Sequence, residues 1–324
     1  MCGIMGYYAF GEKRPKHKVL TEMFYLLEAR GHDACGWAWQ DKEGKLQLFK
    51  IAQRSSEIIQ TPYWKFPPLA KSMIFHTRAA TQGTVKDSRN NHPLLGKEGK
   101  RVLVHNGIIN NEHRFGITTD KVDSLAILRA LESEDDPVVG LNKLQGSFAI
   151  AVLHSENQDL ILARHYSPIE IIYDKVDDIL YFASELRMLT GPLQVKSKVL
   201  RGIEFNSDRY YEVDFPDDTM WIVNQKGLKS VHKLSPLAYT SYGYPSQRWS
   251  GHYYGDDFSP EYGRRGKREP KKLTDGKEIW NFNCPYCDSR FDYDSSFYSQ
   301  KCPKCQGIIY KDDIASYFEN KENN

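Results

Sequence analysis

The chain has 324 residues, and 44 lysine and arginine residues nearly balance 42 aspartate and glutamate residues, which gives a formal net charge of +2. This balance does not indicate a bulk polyanionic partner. No apolar run reaches the roughly 18 residues that a membrane span needs, and no secretory signal pattern begins the sequence. We therefore expect one large or two moderate globular domains and no membrane contact.

The six cysteines are two single residues, Cys2 and Cys35, and two Cys-x-x-Cys pairs late in the sequence. This distribution is typical of catalysis and metal binding in a reducing compartment rather than of a disulfide framework. We therefore expect a cytoplasmic protein. Cys35 lies on a predicted strand, where we expect it to be a small buried hydrophobe.

The pattern of apolar residues predicts mostly β structure over residues 2–234, with a few packing helices. Five apolar residues from Val19 to Leu27 recur at helical spacing, and Gly31 follows as a stop signal. The other predicted elements of the first half are strands at 3–10, 35–39, 46–51, 73–80 and 102–109.

The second half of this domain is predicted to begin with a helix and to continue as short strands. Leu125, Leu128 and Leu131 mark the helix, and Asp123 before it is predicted to be an N-cap or a first-turn acid. Turn signals at about ten-residue spacing predict consecutive hairpins. The predicted strands lie at 148–153, 160–163, 169–173, 179–183, 203–205, 210–213 and 220–223.

Residues 235–279 differ in composition, since tyrosine, glycine, proline and serine dominate and aliphatic residues almost vanish. Such a segment buries too little apolar surface to offset its ordering entropy, so we predict a flexible linker. Its basic run consists of Arg264, Arg265, Lys267, Arg268, Lys271 and Lys272. We expect a solvated tether. The alternative is contact with nucleic acid or an acidic partner, since the neighbouring aromatic rings could stack on bases.

Two Cys-x-x-Cys pairs follow, fourteen residues apart, formed by Cys284 and Cys287 and by Cys302 and Cys305. Four thiolates at this spacing offer one Zn²⁺ a closed tetrahedral site, which is structural rather than catalytic. The alternative is a redox dithiol, but the thioredoxin-like context is missing. We predict a zinc ribbon over residues 280–312, with a tail at 313–324, whose surface docks protein or nucleic acid.

Cys2 directly follows Met1 and would become the amino terminus if Met1 were removed. One residue would then carry a nucleophilic thiol and an α-amine, whose pKa of about 7.7–8.0 leaves a useful fraction as free base. That amine can accept the thiol proton directly or through one water. A Met-Cys start alone does not establish this chemistry, so the case depends on motifs farther along.

A series of short motifs extends over roughly residues 2–205. In order they are Cys2-Gly-Ile-Met-Gly6, Arg30-Gly-His-Asp-Ala-Cys-Gly36, His76-Thr-Arg-Ala-Ala-Thr-Gln-Gly83, Asn91-His-Pro93, His105-Asn-Gly-Ile-Ile-Asn-Asn111, Asp123-Ser124, Gly146-Ser-Phe-Ala149 and Ala183-Ser-Glu185. Together they resemble the class II glutamine amidotransferase domain, an N-terminal-nucleophile (Ntn) hydrolase. Each motif alone is a weak signal, but their common order makes the resemblance specific.

The resemblance implies an α+β fold, a four-layer αββα sandwich, ahead of the flexible linker and the small four-cysteine zinc ribbon. It implies that Cys2 attacks the side-chain amide of glutamine and that Asn106 and Gly107 form the oxyanion hole. Arg78 would bind the substrate α-carboxylate and Asp123 its ammonium group, with Thr81 at the border of the same pocket. Hydrolysis would need no cofactor, since the Zn²⁺ is structural.

Each of these residues also has an ordinary interpretation when taken alone. Arg78 could be a strand-end surface charge and Asp123 a helix cap. Four further motif residues are predicted to be scaffold that holds loops around the site, namely Arg30, Asp33, Asn91 and His92.

Two positions depart from the pattern of the family. Ala79 stands where the family usually has tryptophan, and Gln82 where it has histidine. The tryptophan normally belongs to a loop that covers glutamine, so the departure concerns the lid and the ammonia gate more than hydrolysis. The sequence also departs from the family in its domain organisation, since we find no synthase domain after the glutaminase domain.

The leading hypothesis is therefore a glutaminase subunit that passes ammonia to a synthase on another chain. The zinc ribbon and the basic linker would dock that partner or a nucleic acid. A second hypothesis is a standalone hydrolase of a γ-glutamyl amide, since the same head group is recognised. A third is an inactive Ntn scaffold that acts as a nucleic-acid or protein adaptor.

Deleting residues 236–324 is predicted to remove one bound Zn²⁺ and partner docking while glutamine hydrolysis stays largely intact. The reason is that a four-thiolate site has no open position for substrate or water. Metal analysis of the full-length and truncated chains, beside a glutaminase assay, tests this. Zinc that persists in the truncated protein would contradict the separation into two modules.

Overall fold

The structure is a computed structural model. It describes residues 1–41, 44–65, 70–80, 83–118, 121–195 and 209–237, and short pieces at 271–272, 278–283, 290–294, 299–301, 303–304 and 308–310. The chain divides into two compact units, Met1–Tyr244 and Pro245–Asn324.

The first unit is built mainly of antiparallel strands. They are β1 (Gly3–Ala9), β2 (Ala34–Gln40), β3 (Leu46–Ile51), β4 (Ser72–Arg78), β5 (Leu94–Leu95), β6 (Arg101–Ile109), β7 (Gly146–His154), β8 (Leu160–His165), β9 (Glu170–Asp174), β10 (Ile179–Ala183), β11 (Tyr210–Val213), β12 (Thr219–Asn224) and β13 (Gly227–Lys233). The helices are α1 (His17–Leu27), α2 (Ser55–Ile58), α3 (Pro62–Lys65), α4 (Leu125–Glu132), α5 (Pro137–Asn142) and α6 (Arg187–Thr190). Short 3-10 helices lie at Glu28–Arg30, Ser88–Asn90 and Glu112–Phe115.

These strands form two sheets. The first sheet has the order β11-β9-β10-β1-β4-β2-β3, and the second has the order β13-β12-β8-β7-β6-β5. An apolar cluster between them contains Ile4 and Ile74 from the first sheet and Val104, Ala151 and Leu162 from the second. The two sheets therefore pack face to face, as in other β-sandwich cores.

Helices cover the outer face of each sheet. One apolar cluster joins α1 to the first sheet, through residues such as Phe24 and Met5. Another joins α4 and α5 to the second sheet, through residues such as Leu128 and Ile150. The described layers are thus helix, sheet, sheet and helix, which agrees with the predicted αββα arrangement.

Strand β1 lies in the middle of the first sheet and is buried along its whole length. Its side chains alternate between the two layers. Ile4 and Tyr8 pack in the cluster between the sheets, whereas Met5 and Tyr7 pack in the cluster under α1. Burial on both faces explains why this segment is apolar at nearly every position.

The predicted elements agree with the structure within two residues at each end wherever they fall on described residues. The predicted strand at 203–205 lies outside those residues. The sequence pattern does not predict β5, β13 or the short helices α2, α3, α5 and α6. The expectation of consecutive hairpins is wrong at one step, because β8 and β9 belong to different sheets. Asp123 is neither an N-cap nor a first-turn acid, since Ser124 occupies the N-cap of α4.

The second unit contributes short described strands. β14 (Lys271–Lys272), β15 (Glu278–Asn283) and β16 (Arg290–Asp294) form one antiparallel sheet, and β17 (Ser299–Lys301) pairs with β18 (Ile308–Tyr310). The four predicted zinc ligands, Cys284, Cys287, Cys302 and Cys305, lie outside the described residues. In the described part of the chain, no helix is long and apolar enough to cross a membrane.

Replacing Gly6 with alanine is predicted to destabilise the first unit by about 1–3 kcal/mol, the usual cost of overpacking a core. A Cβ there would stand 2.4 Å from the Met73 carbonyl oxygen and 2.4 Å from a ring carbon of Phe182. Gly11→Ala is the matched control, since its Cβ would come no closer than 3.7 Å to a side chain. It should change stability by less than about 0.5 kcal/mol. Equal urea midpoints for the two variants would contradict the packing argument.

Candidate active site

Cys2 lies just before β1, and its backbone is held by Arg30, whose side chain is 8% exposed. Arg30 donates from Nε to the Cys2 carbonyl at 2.9 Å and from Nη1 to a Glu185 carboxylate oxygen at 2.8 Å. Arg30 belongs to the 3-10 turn that follows α1. The packing of α1 therefore fixes the position of the residue predicted to be the nucleophile.

The first residues of β1 are fixed equally tightly. The Ile4 N–H donates to Ser184 Oγ at 2.9 Å, and the Ser184 N–H donates to the Ile4 carbonyl at 2.9 Å. Gly3 approaches β4 closely, so that a Cβ on it would stand 2.7 Å from Thr77 Oγ1. Cys2 thus emerges from a rigid strand next to the end of β4.

Arg78 is the last residue of β4 and is buried, with 2% of its surface exposed. Its Nη1 donates to Asn91 Oδ1 at 2.7 Å, and its Nη2 donates to the Gly83 carbonyl at 2.9 Å. Burial lowers the pKa of the guanidinium, whereas nearby Cys2 and Asp123 act in the opposite direction. The predicted surface-charge alternative for Arg78 is therefore wrong, and Asn91 orients its side chain.

Asp123 is a buried carboxylate that is held by backbone groups. Its Oδ2 accepts the Ile109 N–H at 2.7 Å, and its Oδ1 accepts the Ser124 N–H at 2.9 Å. Ile109 is the last residue of β6. Asp123 therefore joins the end of the strand that carries Asn106 and Gly107 to the start of α4.

Asn106 and Gly107 lie near the end of β6, opposite Ala149 and Phe148 of β7. Asn106 is buried, with 3% of its surface exposed. Gly107 has a φ of +143°, and a Cβ on it would stand 2.1 Å from the Ser147 carbonyl oxygen. Only glycine fits this position without displacing the backbone of β7.

The Cys2 thiol is influenced by several charges at once. Burial raises its pKa and the Asp123 carboxylate raises it further, while a backbone hydrogen bond with Ala79, the chain's amino terminus and Arg78 lower it. The Sγ atom lies 3.6 Å from the Ala79 carbonyl oxygen. The guanidinium and the carboxylate thus act on the thiol in opposite directions. Because burial dominates, the thiol needs a base to become a nucleophile.

Some predicted site residues cannot be placed in this way. Thr81 and Gln82 lie outside the described residues, so the role of Thr81 stays a prediction. Within the described ranges, no group of three or more histidine, cysteine or acidic side chains could hold a metal ion. The other single cysteine, Cys35, is buried in β2, and burial raises its pKa to about 12.

Sequence reasoning misses the specific contact that Glu185 makes with Arg30. The motif Ala183-Ser184-Glu185 stands out in the sequence, but nothing in it indicates that Glu185 orients an arginine 155 residues away. The signal that could have found it is the presence of one acidic and one basic residue in two separate motifs. Glu185 follows β10, which ends at Ala183 and pairs with β1, the strand that follows Cys2.

Comparison with known proteins agrees with this site. Residues 76–191 match the sequence profile of a family described as a glutamine amidotransferase domain. A glutamine–fructose-6-phosphate aminotransferase (isomerizing) of Thermus thermophilus is 32% identical over 188 residues, which cover 53% of this chain and 30% of that protein. The Pyrococcus horikoshii enzyme of the same name is 33% identical over 204 residues, which cover 57% and 33%. The chain thus spans roughly a third of the length of these curated relatives.

Two solved structures share the fold. Glutamine phosphoribosylpyrophosphate (PRPP) amidotransferase from B. subtilis has a TM-score of 0.54 at 19% identity, over 72% of this chain and 49% of that chain. A structure described as the allosteric regulatory enzyme of purine biosynthesis gives 0.55 at 20% identity with the same coverage. Residues 76–191 therefore resemble a glutamine amidotransferase domain in sequence, and the first unit shares the fold of these two amidotransferase structures. The curated matches named above are glutamine–fructose-6-phosphate aminotransferases.

Proposed function

We propose that the chain hydrolyses the side-chain amide of glutamine to glutamate and ammonia, with Cys2 as the nucleophile. The observation that carries this proposal is that the Cys2 Sγ lies 3.6 Å from the carbonyl oxygen of Ala79, the residue after Arg78. The buried Arg78 guanidinium lowers the pKa of the thiol and the buried Asp123 carboxylate raises it. A thiol near two fixed opposite charges suits a zwitterionic substrate whose reacting amide lies near the sulfur.

Activation of the thiol requires that Met1 be removed. Met1 is 81% exposed, whereas Cys2 is held by Arg30. Removal exposes the α-amine of Cys2, whose ordinary pKa of about 7.7–8.0 suits a general base near neutral pH. The amine takes the thiol proton, which offsets the effect of burial on the thiol.

The reaction then proceeds in two displacements. The thiolate attacks the δ-carbonyl carbon of glutamine, and the C–N bond breaks as the leaving nitrogen takes the proton from the α-amine. Ammonia departs and leaves a γ-glutamyl thioester on Cys2. Water, deprotonated by the same amine, attacks the thioester, so that glutamate leaves and the thiol is restored.

Asn106 and Gly107 are proposed to stabilise the oxyanion of each tetrahedral intermediate. The side-chain amide of Asn106 and the backbone N–H of Gly107 are donors of the required kind. Donors on a strand are fixed before the reaction begins, so they do not reorganise as charge develops. The crowding of Gly107 against Ser147 supports this role, since it restricts the local backbone.

Recognition of the substrate is proposed to use the two buried charges. Arg78 binds the α-carboxylate, for which a planar guanidinium is suited, and Asp123 binds the α-ammonium group. Together they would select free glutamine over an amide within a protein chain. Thr81 is proposed to border the same pocket. Ala79 and Gln82 replace larger side chains of the family pattern, which affects closure over the substrate more than the chemistry.

The ammonia is proposed to pass to a synthase on another polypeptide. The support for this is that the curated relatives extend well beyond the part that this chain matches. The predicted ribbon, with Zn²⁺ on Cys284, Cys287, Cys302 and Cys305, is proposed to dock that synthase or a nucleic-acid acceptor. The cysteine spacing supports the zinc, which would be structural and would take no part in hydrolysis.

Hydrolysis of another γ-glutamyl amide is the second candidate, because Arg78 and Asp123 would recognise any free glutamyl head group.

Cys2→Ala is predicted to abolish release of glutamate and ammonia from glutamine, because no other residue supplies the attacking sulfur. A glutamine-analogue diazo-ketone should label the processed wild-type chain at Cys2 alone. Cys35→Ala is the control and should keep full activity, since Cys35 is a buried thiol with a raised pKa. Peptide mass mapping locates the label. Labelling at Cys35, or full activity with Met1 retained, would overturn the assignment.

Asn106→Ala is predicted to lower kcat roughly 100- to 1,000-fold, the usual cost of one oxyanion donor. Arg78→Ala should mainly raise KM, because its contact with a distant carboxylate is present in both the ground state and the transition state. Steady-state kinetics on the two variants separate these effects. If Asn106→Ala changed only KM, the oxyanion role would be wrong.

A further inference from the structure

Near Asn106 and Gly107, side chains rather than a neighbouring strand supply hydrogen-bond partners on the side of β6 that faces away from β7. β5 pairs with β6 only at Leu94 with Leu103 and Leu95 with Val102. Among the described residues, no strand continues this pairing toward the end of β6. The backbone there must therefore find other hydrogen-bond partners.

Two side chains provide those partners on either side of the oxyanion pair. His76 Nε2 lies 2.9 Å from the carbonyl oxygen of His105, the residue just before Asn106. Asp123 Oδ2 accepts the Ile109 N–H at 2.7 Å, two residues after Gly107. The stretch that carries Asn106 and Gly107 is thus pinned at both ends.

His76 belongs to the sheet that carries the nucleophile. In the register of β1 and β4, His76 lies opposite Ile4, two residues beyond Cys2. Its hydrogen bond therefore crosses from the first sheet to the second, where the predicted oxyanion donors are. The geometry that matters for attack is the distance between these two sheets at this point.

The state of the His76 ring is well defined by its surroundings. The ring is fully buried and stacks on His92, with ring centres 4.2 Å apart and an interplanar angle of 22°. Burial lowers its pKa to about 3, so the ring is neutral near pH 7. A neutral imidazole has one N–H, and a carbonyl can only accept. The proton is therefore on Nε2, and His76 donates to His105.

We propose that His76 is a positioning residue for the oxyanion hole, which aligns Asn106 and Gly107 with Cys2 through its hydrogen bond to the His105 carbonyl. This inference rests on the proposed glutaminase function. His76 touches neither substrate nor sulfur in this role. It sets the position of the backbone that carries the donors, and a misplacement of about 1 Å can cost roughly 100-fold in rate.

His76→Leu tests the proposal, because leucine fills the space and cannot donate. We expect kcat to fall about 10- to 100-fold, with KM changed by less than about twofold. His76→Gln should recover most of the rate, since its side-chain amide can donate from nearly the position of Nε2. Met73→Leu, a change of similar size on the opposite face of β4 in the cluster under α1, is the control and should keep the wild-type kcat. Each rate is divided by the concentration of Cys2 that reacts with the diazo-ketone, so that unfolded protein does not lower the measured kcat.

A double-mutant cycle gives the sharper test. If His76 acts through the oxyanion donors, adding His76→Leu to Asn106→Ala should lower kcat by much less than it does in the wild-type chain. Equal losses of kcat in both backgrounds would overturn the proposal. Wild-type kcat in His76→Leu would overturn it as well, and so would a kcat of His76→Gln no higher than that of His76→Leu. Absence of glutamine hydrolysis in the processed wild type would instead refute the proposed function itself.

Discussion

The candidate active site depends on the packing of one sheet against the other. Cys2 and Arg78 lie at the ends of β1 and β4 in the first sheet, whereas Asn106 and Gly107 lie on β6 in the second. No single strand or loop carries both the nucleophile and the oxyanion donors. Their separation is set by the apolar cluster between the sheets, and such close-packed interiors resist displacement. Core residues that touch no substrate therefore determine the geometry of the site.

The same packing removes charged groups from water, and neutral hydrogen-bond partners offset much of that cost. Arg78 donates to the Asn91 amide and the Gly83 carbonyl, and Asp123 accepts backbone N–H groups. These neutral groups form hydrogen bonds with the charged side chains and leave the net charge of each side chain unchanged. A buried, oriented charge interacts more strongly with a ligand than one in water does. The site residues therefore include buried charges of both signs, Arg78 and Asp123.

Sequence reasoning finds most of the fold because strands such as β1 and β7 are buried on both faces and are correspondingly apolar. It misses β13, an edge strand whose Leu228 and Val231 are exposed among polar residues. The site residues are recognisable from their motifs, but their contacts are not. Asp123 resembles a helix cap when only its neighbours are considered, and its actual partner, Ile109, lies 14 residues earlier on another element. Contacts of this kind follow from sheet pairing, which local patterns do not encode.

The first residue of the chain has a consequence for timing. Met1 is exposed to solvent, whereas Arg30 donates a hydrogen bond to the Cys2 carbonyl. β1, which follows Cys2, is paired with β4. In the mechanism proposed above, cutting the peptide bond between Met1 and Cys2 would convert an amide nitrogen into the catalytic base. The chain would thus fold first and stay without glutaminase activity until Met1 is removed. Maturation would be a chemical event at the surface rather than a conformational one.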